Sequence, residues 1–242
     1  MYSEIFLTNN CFIPANHSFD NINLRAAVPS DLEFIIESII ESEKSGSQII
    51  STCNVFGFSE VEYKEILREI LLEDINYCEY GLSGFLIAEY NGECVGTYAS
   101  WIEGLGGISS GILKASILTP FLNKEKVEEM QRNKLFITAL ALRREVGALQ
   151  LEYLYVKNNF RRRGLSSLLI KESIKCNLNR YSFTKVQTIL FKDNIPSYCT
   201  HLKLGFEVTE EKSADNKNVL KYFPYSSRVL MELNYEKIQR LQ

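Results

Sequence analysis

Two histidines, His17 and His201, are all that the 242 residues contain, and the six cysteines (Cys11, Cys53, Cys78, Cys94, Cys176 and Cys199) never fall as C-x-x-C. A zinc site needs four clustered nitrogen or sulfur ligands, so no metal centre is expected, and no disulfide framework either. The thiols read as small hydrophobes of a reducing compartment. An excess of positive charge is missing too. With 27 Lys and Arg against 30 Asp and Glu, the net charge of -3 gives no field that would draw nucleic acid or an anionic membrane. No apolar run approaches the roughly 20 residues of a membrane helix. The first twenty residues carry neither a basic leader nor a long apolar stretch, so no secretory signal and a cytoplasmic location are expected. There is no internal repeat and no G-x-x-x-x-G-K-[ST] phosphate loop. GLGGISSG at 104–111 fails as a dinucleotide fingerprint, because Ser109 stands where the third glycine belongs.

What is present patterns as a globular α/β chain. Leu32, Ile35, Ile36, Ile39 and Ile40 recur at helical spacing, and Ser30 with Glu33 three positions on makes a capping box, so a helix is expected from there. Ser59 can cap a second helix over 59–74, with Val61, Ile66, Ile70 and Leu71 on its apolar side. The intervening SGSQIISTCNVFG (45–57) reads as a loop. Asn91-Gly92 between FLIAEY and CVGTYASWI is a hairpin signal. The segment 104–147 begins as a flexible stretch, holds a helix around NKEKVEEMQRN, and ends in LFITALAL, which periodicity leaves open between helix and strand. Then follow a strand at 148–156, a helix at 165–178, a strand at 185–191, a short helix at 196–204 and a last strand at 228–233. Strand, helix, strand, helix, strand implies at least one parallel pair with helices on the sheet faces.

NNFRRRGLSSLLI, 158–170, sits between that first strand and its helix. The first turn of a helix offers unpaired N–H groups and about half a positive charge, which together make an anion site. Gly164 permits close backbone approach, Ser166 and Ser167 stay small while offering hydroxyls, and the arginines can add charge-assisted bonds. The turn is either solvated or a seat for a phosphate-bearing ligand, and its neighbours decide between the two.

EYLYVKNNFRRRGLSSLL resembles the cofactor motif of the GNAT superfamily of CoA-dependent N-acyltransferases, a strand ending in Tyr-Val that leads to [QR]-x-x-G-x-[GA] at a helix start. Arg161 holds the Gln/Arg position, Gly164 the central glycine, and Ser166 the final small residue. NIPSYCTHLKLGFE, 194–207, is similar to the family's N-x-x-A-x-x-x-Y-x-x-x-G-F: Asn194, Ser197, Gly205 and Phe206 match, and His201 replaces the usual tyrosine. LRAAVPSDLEFI and the hairpin also resemble the family's first elements, so the likeness covers most of residues 22–234. Ser166 in place of Gly or Ala, and Asn158 where proline is frequent, are smaller departures.

The resemblance implies a single α/β domain over 22–242, with a mixed, mostly antiparallel central sheet flanked by helices and a splayed parallel strand pair holding CoA. An extension, 1–21, precedes it, and an insertion at about 104–147 would shape the acceptor side or an oligomer contact such as a homodimer's. Pyrophosphate would lie on Arg161, Arg162, Arg163, Gly164, Leu165, Ser166 and Ser167, pantetheine along Leu154, Tyr155 and Val156, with Asn194 also toward the cofactor. The implied reaction moves an acetyl group from acetyl-CoA to a primary amine by direct attack, with no metal. A non-catalytic acyl-CoA sensor is the alternative.

An alkyl ammonium with pKa near 10.4 lies about 3.4 units above pH 7, so a base matters more than an acid for a thiol near 8.5. Glu152, a carboxylate in an apolar strand and by period-two alternation on the face of Leu154 and Val156, is expected to be that base or else a structural ion-pair partner. His201 by position, or Tyr198 one helical turn earlier, would be the acid, unless His201 serves only packing. Tyr90, Tyr98 and Trp101 would line the acceptor pocket or fill the core.

Overall fold

The computed structural model describes residues 21–239. The expected extension, with Cys11 and His17, lies outside the described residues save for Asn21. Strands β1 (Ile22–Ala26), β2 (Phe85–Tyr90), β3 (Glu93–Ile102) and β4 (Leu149–Val156) pair antiparallel in sequence order. Next, β5 (Lys185–Phe191) runs parallel to β4, while β6 (Glu207–Ser213) and β7 (Ser227–Asn234) complete a seven-stranded sheet of order β1-β2-β3-β4-β5-β7-β6. The β2–β3 turn is Asn91-Gly92, both with positive φ (50° and 83°), the backbone that this residue pair favours.

On one face of the sheet, Val95, Leu149, Leu151 and Val156 meet Leu165, Leu169, Ile170 and Ile174 of the helix that follows β4. On the other face, Ala99 and Tyr153 meet α1 (Leu32–Lys44), through Ile35 and Ile39, and Leu67 and Leu71 of a further helix. The first of these apolar stripes is the expected one, but its cap is not. Asp31, not Ser30, closes the start: its carboxylate accepts from the Val28 N–H at 2.9 Å and is forked by Arg25 at 2.6 and 2.9 Å.

The stretch expected as a loop contains α2 (Ser51–Phe56). The buried Glu43 carboxylate accepts from Thr52 N–H at 2.8 Å and its hydroxyl at 2.7 Å, which supplies the N-terminal capping the local sequence lacks. Helix α3 (Glu60–Leu72) starts at Ser59 with the reciprocal Ser59–Glu62 capping bonds. Its buried side holds Tyr63, Ile66, Leu67, Ile70 and Leu71, whereas Val61 is 71% exposed and off that face.

The segment 104–147 forms α4 (Ser110–Leu118), α5 (Lys124–Arg132) and α6 (Lys134–Thr138). LFITALAL is therefore helical at its start, and the glycine stretch expected to be flexible leads straight into α4. Then come α7 (Leu165–Leu178), α8 (Ile195–Lys203) and α9 (Tyr235–Gln239). Strand β6, EVTEEKS, escapes sequence reading because nearly all of it is polar, as an edge strand tolerates. No helix among the described residues is long and apolar enough to cross a membrane.

Glu103 anchors α4 to the sheet. Its carboxylate, 2% exposed with its residue, accepts from Trp101 Nε1 (3.2 Å), the Ser110 N–H (2.9 Å) and Ser110 Oγ (2.6 Å). Glu103→Ala leaves those donors buried and unpaired, so a loss of about 2–4 kcal/mol is expected. Urea-unfolding midpoints check the loss, and the emission of Trp101, the sole tryptophan, should move to the red.

Candidate active site

β4 and β5 share only two register pairs, Leu149 with Val186 and Gln150 with Gln187. Beyond them the two strands run on to Val156 and Phe191 without pairing to each other. The C-terminal ends of both strands, the starts of α7 and α8, and hence Tyr155, Val156, Gly164 and Asn194 share this open end of the sheet. Carboxyl ends of parallel strands are where open α/β sheets hold ligands.

The turn at 158–164 leaves the start of α7 open. Arg161 is spent on the fold: its Nε donates to the Val156 carbonyl at 2.8 Å. Arg162 takes positive φ (62°), and Arg163 lies 5.8 Å from the Phe160 ring. Gly164 is the N-cap of α7 with φ 89° and no side chain to cap it, so the first N–H groups of the helix keep their bonding capacity. No atom lies within 4 Å of where a Cβ would stand there. The Leu165 side chain is in the core, so it can offer a ligand only its backbone, while Ser166 and Ser167 are half-buried. Asn194 is the N-cap of α8, and its side chain makes no cap bond.

Strict alternation fails in β4. Ala99 faces Glu152 and Thr97 faces Tyr155, so Tyr98 is opposed by two residues, and Tyr153 takes the positive φ (58°) of a bulge. The extra residue reverses the facing of the strand. Leu154 and Val156 join the α7-side core, and Glu152 with Tyr155 faces the α1 side. The expectation that Glu152 shares a face with Leu154 and Val156 is corrected accordingly. Tyr155 donates its hydroxyl to Glu37 at 2.9 Å.

Glu152 is 13% exposed and its Oε1 accepts from Arg144 Nη2. Arg144 is stacked 5.3 Å from Trp101. Nearby, Glu79 (3% exposed) pairs with Lys114 at 3.3 Å, and the Lys114 ammonium also donates to Tyr153 Oη at 3.4 Å. The two carboxylates are driven apart. Burial raises the Glu152 carboxyl, and the negative charge of Glu79 adds to this against the opposing charge of Arg144. Burial also works to raise Glu79, but Lys114 and Arg144 outweigh it and hold that carboxyl below its ordinary value. Sequence reading missed Glu79, Lys114, Arg144 and Arg228. Each looks like an ordinary surface charge in its own segment, and only the fold gathers them.

His201 is 1% exposed, against Tyr98 and Phe206. A carbonyl can only accept, so Nδ1–H donates to the Ser197 carbonyl (2.8 Å), and the bare Nε2 accepts from the Tyr98 hydroxyl (2.9 Å). Both ring nitrogens are engaged inside the core. Burial lowers its pKa to about 4, against the Ser197 bond. Tyr198, half-buried on α8, packs against the same core. Tyr98 belongs to the core, and Trp101 lies with the charge cluster.

Residues 48–206 match the model of the acetyltransferase (GNAT) family. Among solved structures, an N-acetyltransferase from Staphylococcus aureus Mu50 superposes with TM-score 0.57 at 12% identity, over 87% of this chain and 99% of that one. An aminoglycoside acetyltransferase in complex with coenzyme A gives 0.51 at 17%, over 90% and 98%. A ribosomal-protein-alanine N-acetyltransferase from Brucella melitensis gives 0.50 at 16%, over 87% and 98%. At such identities the likeness is one of fold. No curated protein matches the chain in sequence.

The buried neutral imidazole makes stability depend on pH with a definite sign. Below about 6.5 the unfolded chain takes up a proton that folded His201 refuses until about pH 4. Its contribution is therefore full above pH 6.5 and declines as pH falls to 4, by about 3 kcal/mol in all. Chemical-denaturation midpoints of wild type and His201→Gln, compared at pH 7 and pH 4.5, should show a smaller acid loss in the variant.

Proposed function

The chain belongs to the GNAT family of acetyltransferases, and on that premise we propose that it moves the acetyl group of acetyl-CoA to a primary amine by direct attack. The observation that carries this reading is the separation of β4 from β5 after two pairs, in line with the Gly164 start of α7. The unpaired edge of β4 offers main-chain groups to an extended pantetheine, and the helix start offers N–H groups to the pyrophosphate. Arg162, Arg163, Ser166 and Ser167 would add bonds at the rim, with Asn194 across the opening. Arg161 would act on the cofactor through the shape of the turn it ties.

For attack the ammonium must lose a proton, and a group of pKa near 10.4 leaves about 4 to 5 kcal/mol of barrier at pH 7 if nothing removes it. Glu152 is the base in this proposal. Its raised pKa suits it to accept a proton, and Arg144 orients Oε1 while Oε2 makes no hydrogen bond within the described residues. Glu79 stays ionised and holds the ammonium before transfer. The amine lone pair then forms the N–C bond, the oxyanion leans on main-chain N–H groups near Tyr155 and Val156, and its collapse breaks the C–S bond. The departing thiolate takes a proton from Tyr198, and the second proton that the nitrogen sheds as it becomes an amide returns to Tyr198. With both ring nitrogens engaged, His201 becomes a positioning residue, a change from the acid its place in the motif suggests. The segment 104–147 contributes Lys114 and Arg144, which favours a role for it on the acceptor side.

Calorimetric titration of acetyl-CoA should give micromolar binding to the wild type and none to Gly164→Glu, where positive φ, bulk and charge all oppose the ligand. Absence of binding to folded wild type would remove the reading. In thiol-release assays Glu152→Gln should lower kcat roughly 100-fold or more at pH 7, and His201→Ala by less. The reverse ranking would exchange their roles.

A further inference from the structure

Arg228, second in β7, stands opposite Phe191, the last residue of β5, with its guanidinium 5.1 Å from that ring. Val229 and Met231 enter the α7-side core, so alternation turns Arg228 to the other face, the one that carries Glu152. β4 and β7 flank β5, so Arg228 and Glu152 share one face on either side of the gap that the splayed strands leave. The other two cations of this region are engaged, Lys114 by Glu79 and Arg144 by Glu152. Arg228 forms no ion pair and no hydrogen bond within the described residues, and its Nε is buried without a partner. Arg144 Nε and Glu79 Oε2 are buried and unpartnered in the same way. Two orphan donors and one orphan acceptor therefore belong to the same charge cluster as Glu152, and such atoms call for a partner of complementary chemistry.

A simple amine or a polyamine would bring only positive charge, which suits Glu79 and Glu152 but faces an unpaired guanidinium. An acceptor that also carries a carboxylate matches both signs, since a planar guanidinium binds a carboxylate through two parallel N–H bonds. We propose that the acceptor is a free α-amino acid, its ammonium taken by Glu152 and Glu79 and its carboxylate forked by Arg228. The proposal rests on the acetyltransferase reading above. A peptide N-terminus, which has an amide where the amino acid has its carboxylate, would not satisfy Arg228.

The test uses matched pairs that differ only in the carboxylate: tyrosine with tyramine, and lysine with cadaverine. Each is titrated into the acetyl-CoA complex while the fluorescence of Trp101, beside Arg144, is followed, and each is assayed by thiol release. The expected result is a kcat/KM at least tenfold higher for the amino acid of a pair. Arg228→Gln should lower kcat/KM for the amino acid at least tenfold more than for its amine, chiefly through KM, and Arg228→Lys should keep part of the preference. Equal or better use of the amines, or equal losses for both members in Arg228→Gln, would overturn the proposal. So would binding of acetyl-CoA with no response to any amino acid, which would leave the acetyltransferase reading standing. Failure to bind acetyl-CoA at all would overturn both.

Discussion

A strand that must serve two faces at once needs one irregular residue, and in β4 that residue is Tyr153. The bulge there lets Leu149 and Leu151 before it, and Leu154 and Val156 after it, all enter the α7-side core. Glu152 and Tyr155 are left for the opposite face. The same strand parts from β5 after Gln150, which opens the sheet at the end where α7 begins. The open helix start and the charge cluster are thus two consequences of one strand's course, one at the end of the sheet and the other on the α1-side face.

The charge cluster keeps itself in register by pairing across distant segments. Lys114 of α4 pairs with Glu79 from the approach to β2, and Arg144 from the approach to β4 pairs with Glu152, while Arg228 of β7 stands beside them, unpaired among the described residues. Near-equal numbers of each sign make the group tolerable in the interior, because removing one member would strand another charge out of water. It also gives two neighbouring carboxylates different proton affinities, the arrangement acid–base chemistry needs. The imidazole of His201 lies on the far side of the sheet, neutral and enclosed, where it joins α8 to β3 through Tyr98.

Much of this was legible in the residues alone. The hairpin at Asn91-Gly92, the α7 and α8 helices and the turn at Gly164 follow from local rules of backbone and spacing. Where sequence reading failed, a distant residue had replaced a local signal. Glu43 starts α2 from nine positions away, and Asp31 displaces Ser30 because Arg25 of β1 holds it. The facing of Glu152 was misread because period two has no way to register an extra residue. Glu79 and Arg228, whose segments carry no motif, could be found only once the sheet brought them together.

The strand that composition hid has a bearing on how the molecule keeps to itself. β6 closes the sheet with one side of its backbone free of strand partners, and it carries Glu207, Glu210 and Glu211 against a single Lys212. Each of these glutamates is met by a lysine, Glu207 by Lys237 at 2.7 Å, Glu210 by Lys212 at 3.9 Å and Glu211 by Lys192 at 2.8 Å. A second copy adding a strand here would have to bury this charged row, and the cost of taking those ions out of water guards the edge against fibril-like growth.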